Sequence, residues 1–258
     1  MVLVGTSGFS YKDWKGPFYP AGISDGEMLT FYAERFRTVE LNFSYYAIPT
    51  KRTCQSLLER SAGRVEFVVK AHSSMTHTRE AKEAEFEAFL SGVAPLQEAG
   101  LLGACLLQFP YAFKRSKANA RYLLEVSRRI QPLPLVVEFR HASWVEEKTF
   151  DFLRDHGLGF CSVDEPDLEG LLPAVEEVTS PVAYVRFHGR NAAKWWRHEH
   201  AYERYDYLYT TEELAEWVPK IRRMEAACER LFVFFNNHFR GQAVTNAQML
   251  EELLAKGS

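Results

Sequence analysis

The sequence lacks the features that mark several common classes of protein. Its four cysteines stand far apart and without Cys-x-x-Cys spacing, at Cys54, Cys105, Cys161 and Cys228. We therefore expect reduced, buried thiols in a cytoplasmic protein, and neither disulfides nor a zinc site. No hydrophobic run approaches the roughly 18 apolar residues of a membrane-spanning helix. Because the first predicted strand begins at Val2, we also expect no cleaved signal peptide.

Charge of one sign is not in large excess either. The net charge is −3 and the pI about 6.3, so the whole molecule has no strong electrostatic attraction for nucleic acid or membranes. No stretch is compositionally disordered, and hydrophobic residues make up 47% of the 258 positions. That composition and length suit one large barrel or two smaller domains.

Short apolar runs alternate along the chain with stretches of helical periodicity. No glycine-rich phosphate fingerprint follows any of the runs, because Gly5-Thr6-Ser7-Gly8 has the wrong spacing. The order predicts an α/β fold in which residues 1–258 form a single (β/α)8 TIM-like barrel, with an open doubly wound sheet as the alternative. The helix after the sixth strand is predicted to be weak or irregular, since Pro166 and Pro173 interrupt it. The predicted strands are Val2–Gly5, Thr38–Phe43, Glu66–Ala71, Ala104–Phe109, Leu135–Arg140, Gly159–Val163, Val182–His188 and Leu231–Asn236.

Polar side chains recur in pairs at the carboxyl ends of these strands, as in Val136-Val137-Glu138-Phe139-Arg140. Residues i and i+2 of a strand share a face, so each strand directs two polar groups the same way. In a barrel these groups gather at the mouth, where barrel enzymes keep their active sites. The predicted mouth set is Glu40, Asn42, Lys70, His72, Gln108, Glu138, Arg140, Asp164, Arg186, His188, Asn236 and His238.

Chemical character assigns roles within this set. Glu138 and Glu40 are predicted to perform acid–base catalysis, with His188 as a proton shuttle and Lys70 as a further catalytic group. Lys70, Arg140 and Arg186 would hold a phosphate or carboxylate group. The amides and the remaining acid would orient the substrate through hydrogen bonds; these are Asn42, Gln108, Asn236 and Asp164.

Other interpretations of the same set stay open. Three acids and three bases could neutralise one another as a structural network, although buried ion pairs often cost more in desolvation than they return. Schiff-base chemistry at Lys70 is disfavoured if nearby acids keep the amine protonated. Glu40, Glu138, Asp164 and His188 would suit a divalent metal, but no local metal-binding motif supports one and the sequence requires no cofactor.

Aromatic residues crowd the loops that follow the strands. The segment from Gly189 to Tyr209 carries six of them, interleaved with basic residues: Trp195, Trp196, Tyr202, Tyr205, Tyr207 and Tyr209. A lid over the barrel mouth is the favoured interpretation. A platform on which sugars or bases stack is the alternative.

Several motifs in this order make the chain resemble the YecE-like family, a bacterial and archaeal domain of unknown function. The matching motifs are Val4–Tyr11 with Trp14, Val39–Asn42 with Tyr46, Val69-Lys70 with Thr76-His77, Gln108-Phe109-Pro110, Val137–His141 with Trp144, Val185–Gly189, Tyr205-Asp206-Tyr207, and Asn236-Asn237-His238 with Asn246-Ala247. The resemblance implies a TIM-barrel-like fold and a cytoplasmic bacterial protein, and no activity. It adds His77, Trp144, Tyr207 and Asn237 to the expected substrate-binding residues.

The sequence thus predicts a barrel enzyme that binds a small anionic molecule at its mouth and catalyses a hydrolase, lyase or isomerase reaction. Its expected partner is a small-molecule substrate, with no membrane association. One alternative is a nucleic-acid-processing or nucleic-acid-binding barrel, metal-dependent in one version. The other is a non-catalytic ligand-binding barrel.

Overall fold

A computed structural model describes residues 1–256 of the chain. Eight parallel strands close into one barrel in sequence order, and the eighth strand pairs with the first. The predicted single-domain (β/α)8 fold is therefore confirmed. The strands are β1 Val2–Ser7, β2 Thr38–Leu41, β3 Glu66–Lys70, β4 Leu102–Gln108, β5 Leu135–Glu138, β6 Gly159–Asp164, β7 Val182–Phe187 and β8 Arg230–Phe235.

Helices follow the strands of the barrel, and most of them pack on its outer side. They are α1 Met28–Tyr32, α2 Lys51–Ser61, α3 Ser73–Thr76, α4 Glu83–Glu98, α5 Lys117–Ile130, α6 Glu147–Asp155, α7 Ala192–Trp195, α8 Thr211–Ala215, α9 Val218–Ala227 and α10 Gln242–Lys256. Short 3-10 turns cover Lys12–Trp14, Phe43–Tyr45, Ala142–Trp144, Ala201–Tyr205 and Phe239–Gly241. No helix within residues 1–256 is long and apolar enough to cross a bilayer.

Local sequence signals explain where these helices begin. Thr50 and Ser116 accept hydrogen bonds from backbone N–H groups three residues on, and so cap α2 and α5. Thr210 and Glu213 form a capping box at α8. In the described chain no helix joins β6 to β7, which confirms the irregular sixth helix. Pro95 lies inside α4, yet the helix continues through it to Glu98.

Large aromatic side chains pack together inside the barrel. Phe232 and Phe234 of β8 pack beside Tyr184 of β7. Gly103 of β4 leaves the space that the Phe232 ring occupies, because a Cβ at that position would lie 2.3 Å from the Phe232 Cζ. Nearly every strand residue is buried, since the barrel interior covers one face and the helices the other.

Candidate functional site

Two adjoining cavities open at the carboxyl ends of the strands. The larger has a volume of about 560 Å³, and the smaller has a volume of about 290 Å³. Six residues line both: Tyr45, Tyr46, Lys70, Gln108, Arg140 and Tyr205. The two cavities therefore form one continuous site at the predicted mouth of the barrel.

The structure brings eight of the sequence-predicted residues to this site. Those lining the larger cavity are Asn42, Lys70, Gln108, Arg140, Arg186, Asn236 and His238. His77 lines the smaller cavity beside Lys70 and Arg140. Each follows or ends a strand, so the barrel geometry alone places them together.

Arg186 organises the charges beneath the cavity floor. Its Nη2 lies 2.7 Å from the Glu40 Oε1, and its Nη1 lies 2.5 Å from the Glu138 Oε2. Tyr184 donates a hydrogen bond of 2.6 Å to the second oxygen of Glu40. All these groups are fully or almost fully buried. The two predicted catalytic acids are thus paired below the site, and neither lines a cavity.

Glu138 has two further partners. The Arg140 Nε forms an ion pair with the Glu138 Oε1, and the His188 Nε2 lies 3.1 Å from the same oxygen. Burial would raise the pKa of Glu138, but the charges of Arg140 and Arg186 hold it well below its usual range. Glu138 is therefore a fixed carboxylate at neutral pH.

His188 is a neutral imidazole in this arrangement. Burial, reinforced by Arg140, lowers the pKa of His188 to about 3. Because Glu138 can only accept, the His188 Nε2 carries the proton that it donates. The Nδ1 then accepts from the Asn236 amide at 3.2 Å. This chain connects the buried Glu138 to Asn236 on the cavity wall, and the shuttle role of His188 stays a prediction.

Lys70 differs from the other bases because it has no carboxylate partner. Within residues 1–256 no acid lies within 4.0 Å of its Nζ, and its nearest aromatic contact is the Tyr45 ring at 4.5 Å. Burial and then the charge of Arg186 lower the pKa of Lys70 to about 7. The charges of Glu138 and Glu40 raise the pKa of Lys70, but burial and Arg186 outweigh them.

Glu165 is a buried acid beside the site that the strand-end pattern missed. It follows β6, accepts a hydrogen bond of 3.0 Å from the Leu172 N–H, and places its Oε2 at 3.6 Å from the Arg140 Nη1. Burial raises the pKa of Glu165 to about 7 despite the opposing charge of Arg140. A sequence signal was available, because Glu165 directly follows Asp164 of the predicted mouth set.

Asp164 was expected at the mouth but lies outside both cavities. Arg190 binds its carboxylate through two hydrogen bonds of 2.9 and 2.8 Å. Tyr209 and Trp217 each donate another at 2.7 Å. The direction of its side chain gives the reason. Successive residues of a strand face opposite sides, and Cys161 and Val163 lie on the inward face of β6. Asp164 therefore faces the helical layer.

Three further predicted residues hold the loops in place without lining either mouth cavity. Trp144 stacks on Phe139 with centroids 4.2 Å apart. Asn237 donates 2.8 Å hydrogen bonds to the Tyr207 carbonyl and to the Asn246 Oδ1. The Tyr207 hydroxyl donates to Glu213. Their predicted contact with substrate is not supported by these positions.

The segment Gly189–Tyr209 covers the mouth, as a lid would. It supplies His200, Tyr202 and Tyr205 to the larger cavity, and Trp195, Trp196 and Arg204 to the smaller one. Their aromatic excess was the only sequence signal for them. Sequence reasoning also left these other lining residues out of the site: Tyr11, Tyr45, Tyr46, Pro110, Tyr111 and Leu171.

The donor set proposed for a metal does not assemble. Glu40 and Glu138 are paired with Arg186, and Asp164 is bound by Arg190 on the outer side of the barrel. In the described part of the chain, the group with metal-binding spacing is Glu199, His200 and Glu203 on the lid. There Lys194 already pairs with Glu203 at 2.7 Å.

Comparisons with known proteins place the chain among proteins without an assigned activity. Residues 3–258 match the model of the family described as "Protein of unknown function DUF72". The UPF0759 protein YunF of Bacillus subtilis is 32% identical over 274 residues, which cover 98% of this chain and 95% of that protein.

Solved structures of DUF72 family proteins also match this chain. A DUF72 family protein of Thermotoga maritima is 42% identical with a TM-score of 0.90, covering 99% of both chains. A DUF72 family protein of Enterococcus faecalis is 29% identical with a TM-score of 0.88, covering 99% of this chain and 96% of that one. The predicted resemblance to a family of unknown function is confirmed at this level, while the narrower name YecE-like stays a prediction.

Proposed function

Because the chain belongs to the DUF72 family, whose description assigns no activity, we propose from the site that it is an enzyme acting on a small anionic molecule. The molecule would bind in the two joined cavities through a phosphate or carboxylate group. The observation that carries the proposal is the charge of the lining: Lys70, Arg140 and Arg186 line the larger cavity, and no Asp or Glu of residues 1–256 lines either one.

The surplus of positive charge at the surface of the site has a structural cause. Glu40 and Glu138 lie beneath the floor, where they fix Arg186 and Arg140 in place. An anion in the cavity would meet Lys70 and the outer edge of Arg140, whose Nη2 has no hydrogen-bond partner among residues 1–256. Charge-assisted hydrogen bonds of this kind are about twice as strong as neutral ones.

Polar and aromatic groups would position the rest of the substrate. Asn42, Gln108 and Asn236 present amides to the larger cavity, and the rings of Tyr45 and Tyr205 border both. Convergent polar groups in a concave site are typical of small-molecule enzymes. The lid segment Gly189–Tyr209 would shield the reaction from bulk water.

The acid–base work falls to Lys70 in this proposal. Glu138 and Glu40 carry that role in the prediction from the strand ends, yet both are fixed by arginine and lie away from the cavity. Lys70 lines both cavities with a pKa near neutrality, which suits a catalytic group at physiological pH. This feature favours an enzyme over a non-catalytic ligand-binding barrel. The reaction would be of the hydrolase, lyase or isomerase class.

A cytoplasmic location belongs to the same proposal. All four cysteines are free thiols, and burial raises the pKa of Cys54, of Cys105 and of Cys161. Free cysteines of this kind are common in reducing compartments.

Anion binding to the Arg140→Gln variant tests the proposal. Calorimetric titration with inorganic phosphate and with pyruvate should give saturable binding to the wild-type protein. Loss of a charge-assisted partner costs about 1.5–3 kcal/mol, so the variant should bind roughly 10- to 100-fold more weakly.

Arg128→Gln is the matched control, because Arg128 is exposed on α5 and lies far from the mouth. It should bind both anions as the wild type does. Lys70→Met provides a second variant in case Arg140→Gln unfolds. Equal affinities in the wild type and in both site variants would reject the anionic-substrate proposal.

A further inference from the structure

Lys70 is the one lysine that lines the mouth cavities, and its surroundings separate it from the exposed lysines of the chain. Its Nζ has no carboxylate within 4.0 Å among residues 1–256, although Glu40 and Glu138 lie nearby. Both acids are held by Arg186 at 2.7 and 2.5 Å. Arg186 and Arg140 line the same cavity as the amine and disfavour its charged form.

Such an environment is the one that makes a lysine nucleophilic. A neutral amine attacks carbonyl carbon, whereas an ammonium cannot, and a desolvated site beside other cations favours the neutral form. The arginines already supply positive charge for an anion, so the neutral amine has a separate use.

We propose that Lys70 forms an imine with the carbonyl carbon of a small aldehyde or ketone that also carries a phosphate or carboxylate group. The inference rests on the proposed function, because Arg140 would bind the anionic group of the same molecule. The Lys70 nitrogen forms a new bond to the carbonyl carbon and gives up both its protons. The carbonyl oxygen takes them and leaves as water, so that C=N replaces C=O.

The lining suits both steps of this exchange. The amides of Asn42, Gln108 and Asn236 border the larger cavity, where a tetrahedral intermediate would place its hydroxyl group. His77 lines the smaller cavity with its ring 4.8 Å from that of Tyr45. Burial lowers the pKa of His77 to about 4, so it adds no competing positive charge at neutral pH. An imine accepts the electron pair of a neighbouring bond, which favours the lyase or isomerase classes over hydrolysis.

Reductive trapping on the wild-type protein tests the inference. The protein is incubated at pH 7 with sodium cyanoborohydride and either pyruvate or dihydroxyacetone phosphate, and peptide mass mapping locates the adduct. About half of the Lys70 amines are neutral at that pH, against roughly one in three thousand for a lysine of ordinary pKa. We expect Lys70 to be modified on the order of 100-fold faster than exposed Lys117, which is an internal standard in the same sample.

Two controls complete the design. Lys70→Arg retains the charge but cannot form an imine, so its adduct should disappear while lysines elsewhere react as before. Inorganic phosphate should slow trapping at Lys70 and leave Lys117 unaffected. Modification spread evenly over exposed lysines would overturn the imine inference. If phosphate still bound in that case, the anion-binding function would stand alone; if phosphate also failed to bind, both proposals would fall.

Discussion

The charged residues at the mouth of this barrel differ chiefly in whether an oppositely charged side chain is already paired with them. Glu138 and Glu40 are bound from several sides and fully buried, whereas Lys70 has no acidic partner in residues 1–256. The two acids that the sequence predicts to be catalytic are thus paired with arginines, and their catalytic role stays a prediction. Buried ion pairs of this kind add little net stability, but they hold Arg140 and Arg186 at the wall of the cavity.

The buried carboxyl of Glu165 allows the effect of burial on stability to be measured at a single residue. Its side chain is fully buried, and its pKa is raised to about 7. A carboxyl whose pKa is higher in the folded state favours folding below its unfolded pKa, near 4.5, and loses that contribution as pH rises through about 7. We therefore expect Glu165→Gln to match the wild type at pH 4.5 and to be more stable by about 1–3 kcal/mol at pH 8.

Urea unfolding across that pH range measures the difference directly. Glu87→Gln is the control, because Glu87 is exposed on α4. Its effect should be small and should not increase with pH. A Glu165→Gln variant that was less stable than the wild type at pH 8 would show that the ion pair with Arg140 outweighs desolvation.

At the scale of elements, α10 holds the carboxyl end of the lid in place through hydrogen bonds. The Asn246 Oδ1 accepts from the Tyr209 N–H at 3.0 Å, and the Asn246 Nδ2 donates to the Tyr209 carbonyl at 2.9 Å. Asn246→Ala would leave both backbone groups buried without partners. Each such group costs about 1–3 kcal/mol, and we expect a total loss of about 2–4 kcal/mol in the free energy of unfolding.

Asn191→Ala is the matched comparison at the other end of the lid. Asn191 donates to the Glu203 and Asp206 carbonyls, both at 3.1 Å, but its surroundings are partly open to water. Solvent can replace those bonds, so the loss should stay below about 1 kcal/mol. Equal losses from the two variants in urea unfolding would contradict the assignment of Asn246 as the anchor.

The sequence predicts the strands of this fold better than the direction of their side chains. The carboxyl ends of β3, β4 and β8 lie within about a residue of their predicted positions, because apolar runs between turn residues are strong signals. Asp164 and Asn237 nevertheless face away from the cavities. Barrel strands are buried on both faces, so no alternation of polar and apolar residues marks the inward face. Only the closed structure reveals which member of each pair lines the mouth.

Hydrophobic periodicity also could not predict the structure of the lid. Its residues form one turn of helix at Ala192–Trp195 and a 3-10 turn at Ala201–Tyr205, too short for a periodic pattern. Aromatic enrichment pointed to the segment but gave no positions. The placement of Tyr205 and Trp195 over the cavities depends on distant contacts, such as that of the Tyr207 N–H with Gln242.

At the scale of the whole molecule, barrel closure concentrates positive charge in one place while the chain as a whole stays slightly acidic. The net charge is −3, yet the bases of the mouth are directed into a confined site. A small anion can enter such a site, whereas a nucleic acid would need a basic surface that extends along its backbone.

Acids neutralise part of the basic charge of the lid, which yields a prediction about the nucleic-acid alternative. Arg190 is paired with Asp164 and Glu216, and Lys194 is paired with Glu203. We therefore expect fluorescence anisotropy to show no binding of labelled single-stranded or duplex 20-mers at about 50 mM salt, with any Kd weaker than roughly 10⁻⁴ M. A Kd in the micromolar range that weakened steeply with salt would instead make the aromatic lid a stacking platform. Phosphate binding by the same sample shows that the protein is folded, so a negative result with the oligonucleotides bears on the surface and not on the preparation.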